Sequence, residues 1–238
     1  MSHTTTNLIP PVVKLQKLIF AWPKTQHPVL DIPELIINQG EHVFIKGPSG
    51  CGKSTLLGLL TGINQVQHGS IEILGIDISQ LKASQRDTFR ADNIGYIFQQ
   101  FNLLPYLNVI DNVTLPCQFS KQRKQQLSTS ATEMAKQLLQ RLHLPKEQLD
   151  KAVVELSIGQ QQRVAAARAL IGAPKLIIAD EPTSSLDHDN RSAFIELLME
   201  QANLAQSTLI FVSHDPTLEP LFDRTIDLQQ LNQAGVMS

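Results

Sequence analysis

The sequence predicts an α/β protein built around a buried parallel sheet. Three observations carry this. Residues 176–179 (Leu-Ile-Ile-Ala) and 208–212 (Thr-Leu-Ile-Phe-Val) are short apolar runs of the kind found in strands covered on both faces. They alternate with helical stretches at 157–170 and 192–204, and strand–helix–strand alternation is the pattern of an α/β core. A glycine-rich loop at 47–52 stands between the apolar run Val43-Phe44-Ile45 and a helix-forming stretch at 53–61.

The other elements follow in order. Residues 1–11 read as a loose polar start ending in Pro10-Pro11, and 12–22, rich in Val, Ile and aromatic residues, as a strand. After a turn-rich break at 23–28, residues 30–37 and 41–46 read as strands, with Asn38-Gln39-Gly40 as the turn between them. Gly62 stands where a helix over 53–61 would end. Alternation around Gly75 at 69–78 predicts a small antiparallel element, and 94–98 a further strand. From 99 to about 156 Gln, Leu and Lys become common. There Ala131, Met134, Ala135, Leu138, Leu139 and Leu142 mark one face of an amphipathic helix that stops before Pro145. The basic run Lys121-Gln122-Arg123-Lys124-Gln125-Gln126 reads as a solvated face or loop. In this reading 208–212 is the final core strand.

Composition excludes several classes. A chain of 238 residues can bury its core without a disulfide or metal staple. Two cysteines, Cys51 and Cys117, are too few for a disulfide framework, and a reducing compartment is expected. Twenty basic against 22 acidic residues argue against a dedicated nucleic-acid binder. The longest unbroken apolar run, 18–22, is far short of the roughly 20 residues that span a bilayer. The start, Met1-Ser2-His3-Thr4, has neither the basic nor the apolar region of a secretory signal.

Two motifs carry chemistry. Gly47-Pro48-Ser49-Gly50-Cys51-Gly52-Lys53-Ser54 fits the phosphate-loop pattern G-x-x-x-x-G-K-S/T. Its glycines let successive N–H groups turn toward phosphate oxygens, and the following helix points its positive end the same way. Lys53 would reach the β- and γ-phosphates, the Ser54 hydroxyl would bind Mg²⁺, and Thr55 adds a donor beside them. Cys51 sits inside the loop, where alkylation would obstruct a nucleotide. In the second motif the apolar strand 176–179 runs into Asp180-Glu181-Pro182. A buried parallel strand presents its chemistry at its C-terminal end. There Asp180 can hold Mg²⁺, and Glu181 can take a proton from a water attacking the γ-phosphate.

With these motifs in place, the sequence resembles the ATP-binding-cassette (ABC) ATPases over nearly its whole length. The signature segment of that family is matched by Leu156-Ser157-Ile158-Gly159-Gln160, which departs at Ile158, where glycine is usual. Other landmarks fall in order: Gln99 beside Gln100 for the Q-loop, Ser184-Ser185-Leu186-Asp187 for the D-loop, His214 for the switch histidine, and Trp22 for the adenine platform.

The resemblance implies a RecA-like core with an antiparallel β subdomain over 1–98 and 171–238, and a helical signature subdomain over about 99–170. It implies ATP and Mg²⁺ as ligands. Trp22, Gly47, Ser49, Gly50, Cys51, Gly52, Lys53, Ser54 and Thr55 would bind the nucleotide from one subunit. Ser157, Gly159, Gln160 and Asp187 would complete the site from a second copy placed head to tail. Glu181, His214, Gln99 and Lys53 would serve catalysis, and Ser54, Gln99 and Asp180 the metal.

The resemblance further implies a separate transmembrane permease, docked at the segment after the Q-loop, and a place on the cytoplasmic face of the membrane. Residues 84–90, ahead of the Ile94-Gly95-Tyr96-Ile97-Phe98-Gln99 stretch, resemble the lipoprotein-release and macrolide-efflux branch, whose permeases have four helices. Importers of phosphate, amino acids or metals share much of this spelling. A soluble ABC ATPase of DNA repair or translation would carry two cassettes or long coiled coils. A GTPase would carry Asn-Lys-x-Asp, which this sequence lacks.

Overall fold

Two sheets organise the molecule. A computed structural model of the chain describes residues 11–23, 25, 27–184 and 188–235; of the start expected as loose over 1–11, residues 1–10 lie outside the described residues and Pro11 instead opens a strand. Strands β1 (Pro11–Phe20) and β2 (Leu30–Asn38) form an antiparallel pair with Leu15 opposite Leu35. After the turn at Gln39-Gly40, β3 (His42–Lys46) leaves that sheet for the other one, so the two strands flanking this turn are not partners. Helix α1 (Lys53–Leu60) leads back to β4 (His68–Ile73), which pairs antiparallel with β1, and β5 (Ile76–Asp77) folds back on it about Gly75.

Helix α2 (Ala83–Asn93) buries none of its residues, so no apolar stripe announces it in the sequence. Its start is held by Gln85, whose side-chain oxygen accepts the Lys82 N–H at 2.9 Å. Strand β6 (Ile94–Ile97) follows, then five helices: α3 (Val109–Thr114), α4 (Pro116–Phe119), α5 (Lys121–Gln125), α6 (Ala131–Arg141) and α7 (Ile158–Leu170). The last part holds β7 (Leu176–Asp180), α8 (His188–Leu204), β8 (Thr208–Val212), β9 (Arg224–Asp227) and α9 (Leu228–Leu231). β8 is therefore not the final core strand. β9 pairs with β3 at the sheet edge, Ile226 opposite Ile45, and its mixed Arg-Thr-Ile-Asp spelling hides it from a search for apolar runs.

The second sheet runs β6-β7-β8-β3-β9, every pairing parallel. Period-2 alternation divides its side chains between two cores. Phe44, Ile177, Ala179, Leu209 and Phe211 pack with the helical segments, whereas Val43, Ile45, Leu176, Ile178, Ile210 and Val212 pack with α1 and the antiparallel sheet. Both faces are covered, which is why these strands read as unbroken apolar runs. Each Val, Leu, Ile or Phe among them contributes about 1.5–3 kcal/mol by burial. No helix among the described residues is long and apolar enough to cross a membrane.

The basic run at 121–126 departs from its sequence reading. It forms α5, and Arg123 within it is 2% exposed. Its guanidinium donates to the carbonyls of Ile94, Ile171 and Ala169, tying α5 to the start of β6 and the end of α7. Gly172 (φ +71°) lets the chain pass here, since a Cβ on it would lie 2.6 Å from the Arg123 Cβ.

Candidate nucleotide-binding site

Parallel pairing sets the C-terminal ends of β3, β6, β7 and β8 side by side. From them emerge the glycine-rich loop, Gln99, Asp180-Glu181 and His214. The loop passes into α1 through Gly52, at φ +103°. A Cβ on Gly52 would meet Leu30 Cδ2 at 2.6 Å, so both backbone angle and packing require glycine. No side chain caps α1, and its first turn contains no acidic residue. The positive end of the helix is thus left to an outside anion. Lys53 arches over the loop, its Nζ donating to the carbonyls of Gly47 (2.8 Å) and Pro48 (3.0 Å).

At the end of β7, Asp180 accepts a hydrogen bond from the Tyr96 hydroxyl at 3.3 Å. Burial holds the Asp180 carboxyl above the usual range, with Glu181 next to it acting the same way and Tyr96 and Lys53 opposing. Burial and the Asp180 charge likewise raise the Tyr96 phenol. Glu181 takes up a left-handed backbone (φ +44°), and its N–H is held by the Val212 carbonyl at 2.9 Å. Its Oε2 lies 3.4 Å from His214 Nδ1. The turn carrying His214 is fastened by Asp215, which accepts from Thr217 Oγ1 (2.7 Å) and from Arg191 (2.9 Å).

Trp22, Ser49, Gly50, Gly52, Lys53, Ser54, Thr55, Gln99, Glu181 and His214 line one cleft of about 770 Å³. Gln99, the glutamine that the family resemblance pointed to, lines it and the adjacent Gln100 does not. Trp22 is 42% exposed, half-covered on one side by the edge-on ring of Phe20 at 5.1 Å. Gly47 and Cys51 lie off the cleft wall, with Cys51 lining a separate hollow of about 590 Å³ beside Asn232. A glycine-rich loop with its lysine, an uncapped helix end, the strand-end acid Glu181 and an exposed aromatic ring thus meet around a volume suited to a nucleotide, with Asp180 standing off its wall.

The comparisons with known proteins agree with this geometry. The family model described as ABC transporter matches residues 30–184. The chain belongs to the ABC transporter family. An uncharacterized ABC transporter ATP-binding protein of Mycobacterium tuberculosis is 39% identical over 226 residues, covering 92% of this chain and 87% of that protein. The lipoprotein-releasing system ATP-binding protein LolD of Bacteroides fragilis is 38% identical, covering 82% of this chain and 88% of its own length. Among solved structures, the ATP-binding cassette MJ0796, a dimer in a post-hydrolysis state bound to ADP and Pi, superposes with a TM-score of 0.80 at 32% identity, over 91% of this chain and 95% of that one. This chain is the ATP-binding subunit of an ABC transporter, and it is an ATPase.

The signature segment stands elsewhere in the same chain. Ser157 is the N-cap of α7, and Ser157 and Gln160 form a reciprocal capping box, with Gln160 Oε1 accepting the Ser157 N–H at 3.0 Å. Ile158, the departure from the family spelling, is 54% exposed, and none of Ser157, Gly159 and Gln160 lines the cleft. Asp187, with Ser185 and Leu186, lies outside the described residues. The sequence reading overlooked Tyr96 and Gln162. Gln162, buried on α7, donates to the Pro182 carbonyl at 2.9 Å and so braces the turn after Glu181. Its place on the helix face toward that turn is a tertiary fact that the Gln160-Gln161-Gln162 spelling does not reveal.

Proposed function

We propose that the chain is the ATP-driven motor of a transporter whose separate permease is of the four-helix, FtsX-like type, and that two copies close head to tail around two ATP molecules. One observation carries this reading. The cleft brings together the phosphate loop, Gln99, Glu181 and His214, while the signature helix presents Ser157 on another, solvent-facing part of the same chain. Such a cleft is half a site, and a second copy supplies the rest.

In this reading Trp22 stacks on the adenine. The N–H groups of residues 50–55 and Lys53 hold the triphosphate at the α1 N-terminus. The donor set fits Mg²⁺, a hard ion that takes few protein oxygens and keeps phosphate and water ligands. Ser54, Asp180 and Gln99 would hold it, and it would neutralise charge on the phosphates. Glu181 accepts the proton of the attacking water, and His214, 3.4 Å from it, contacts the γ-phosphate. Ser157, Gly159 and Gln160 of the second copy bring another helix N-terminus to the same phosphate.

Glu181→Gln is expected to cut turnover by about 10²–10⁴-fold while leaving ATP binding intact and trapping dimers; near-normal turnover would refute the role of Glu181. A 1:1 mixture of Ser157→Ala and Lys53→Ala subunits tests the shared site. Each variant alone is defective, and a mixed dimer retains one site free of both substitutions. Activity equal to the sum of the separate variants would sink head-to-tail sharing.

The branch is supported by the helical segment at 84–90 ahead of Gln99 and by the likeness to the lipoprotein-releasing ATPase. Exposed Tyr106 and Phe119, on the segment that follows Gln99, suit a permease contact at the inner face of the cytoplasmic membrane. Purifying the Glu181→Gln protein from its native membranes and identifying the co-purifying permease tests both. A permease with other than four spans would reassign the branch.

A further inference from the structure

The segment that carries Trp22 is anchored at both ends by side-chain amides that no sequence motif marks. At the near end, the β1–β4 ladder pairs Ile19 with His68. Beyond that pair the side chain of Gln67 takes over from backbone. Its Oε1 accepts the Ala21 N–H and its Nε2 donates to the Ala21 carbonyl, both at 2.8 Å. Ala21 directly precedes Trp22, so this amide pair fixes the peptide from which the ring projects. At the far end Asn232, which follows α9, receives the Asp31 N–H on Oδ1 (2.8 Å) and donates through Nδ2 to the Val29 carbonyl (2.9 Å). The same Nδ2 reaches the Cys51 carbonyl in the phosphate loop at 3.3 Å. Val29, held by the Asn232 anchor, lines the nucleotide cleft with Trp22.

We propose that Gln67 and Asn232 are positioning residues that hold the Trp22 ring at a set spacing from the phosphate loop, so that the base and the triphosphate of a purine nucleotide are bound at once. The inference rests on Trp22 being the adenine platform. The physical reason is preorganisation. An aromatic platform on a free loop must be ordered as the base binds, and that cost is subtracted from affinity. Two donor–acceptor pairs made in advance remove it. Gln67 contacts neither the cleft wall nor the phosphate loop, so its effect is confined to the half of the ligand that Trp22 contacts, whereas Asn232 also holds the Cys51 carbonyl of that loop.

Gln67→Ala and Asn232→Ala test this, each measured for ATP and for inorganic tripolyphosphate, which carries no base. Both variants are expected to weaken ATP binding and raise KM by roughly tenfold. Gln67→Ala should retain kcat at saturation and bind tripolyphosphate within about twofold of the parent. Asn232→Ala, which also frees the Cys51 carbonyl, should lose more for ATP than for tripolyphosphate. Gln67→Glu, which keeps the acceptor for the Ala21 N–H but sets a carboxylate against the Ala21 carbonyl, is expected to behave like the alanine variant. Fluorescence anisotropy of Trp22, the single tryptophan, should fall in each. In a Trp22→Ala background the Gln67→Ala change should cost nothing further. Parent-like ATP affinity in the Gln67 and Asn232 variants, with Trp22→Ala still weak, overturns the proposal and leaves the platform standing. Equal losses for ATP and tripolyphosphate overturn it as well, since that marks general damage to the fold. An unaffected Trp22→Ala variant removes the platform reading and the inference with it.

Discussion

Replacing Arg123 with methionine should destabilise the protein without touching its nucleotide site. The guanidinium is 2% exposed and bonds the Ile94 carbonyl at 2.5 Å, the Ile171 carbonyl at 3.2 Å and, at greater length, the Ala169 carbonyl at 3.4 Å. Burial pushes it down to about 10, so it remains charged at neutral pH. Methionine fills most of the volume and donates nothing. All three bonds are lost, the two shorter ones mattering most, and a buried carbonyl left unpaired costs about 1–3 kcal/mol. Relief from burying a charge offsets part of that loss. The net expectation is a loss of about 2–4 kcal/mol. At about 2–4 °C per kcal/mol for a chain of this size, the melting temperature should fall by about 5–15 °C. Thermal melts followed by circular dichroism and urea unfolding measure it, with the urea midpoint falling and the slope unchanged. Arg123→Lys, which keeps the charge but cannot span the carbonyls as a fork, should fall between the two. A methionine variant melting within about 1 °C of the parent would refute the clamp.

Two further outcomes are expected. His42 is buried with its Nε2 unpartnered, and desolvation holds its pKa below the ordinary value, Asp223 opposing in part. The unfolded chain therefore binds this proton more readily, so stability is full above about pH 6.5 and is lost as pH falls through the folded value. His42→Leu should flatten the acid side of the stability profile, and an unchanged slope in urea melts taken across that range would count against it. Cys51, half-buried in the phosphate loop, should be alkylated by N-ethylmaleimide with loss of ATP binding, and Mg-ATP should protect it while buried Cys117 stays unlabelled. Equal labelling of Cys51 with and without Mg-ATP would end that reading.

Much of the site was legible because its chemistry is local. The spacing from Gly47 to Ser54 and the run from Leu176 into Asp180-Glu181 each encode a backbone path and a functional end within a few residues. Residues whose role depends on distant partners stayed hidden. Tyr96 reaches Asp180 across 84 positions, Gln162 braces Pro182, and Gln67 pairs with Ala21 across 46. Helix α2 was silent because it buries nothing, and β9 because an edge strand carries a mixed spelling. Arg123 was misread as solvated because charge predicts exposure unless the surrounding carbonyls are known.

By itself, then, the sequence determined a parallel α/β core and a phosphate loop feeding a helix. It also placed a strand-end carboxylate pair and a capped signature helix. These are properties of contiguous residues, set by backbone freedom, side-chain period and capping. Only the tertiary structure decided that Gln99 and not Gln100 meets the cleft, and that Ser157, Gly159 and Gln160 do not line their own chain's cleft. It alone shows that Gln67 and Asn232 grip the loop bearing Trp22. Those facts come from strand order and sheet register, which bring together groups far apart in sequence, and no local pattern encodes them.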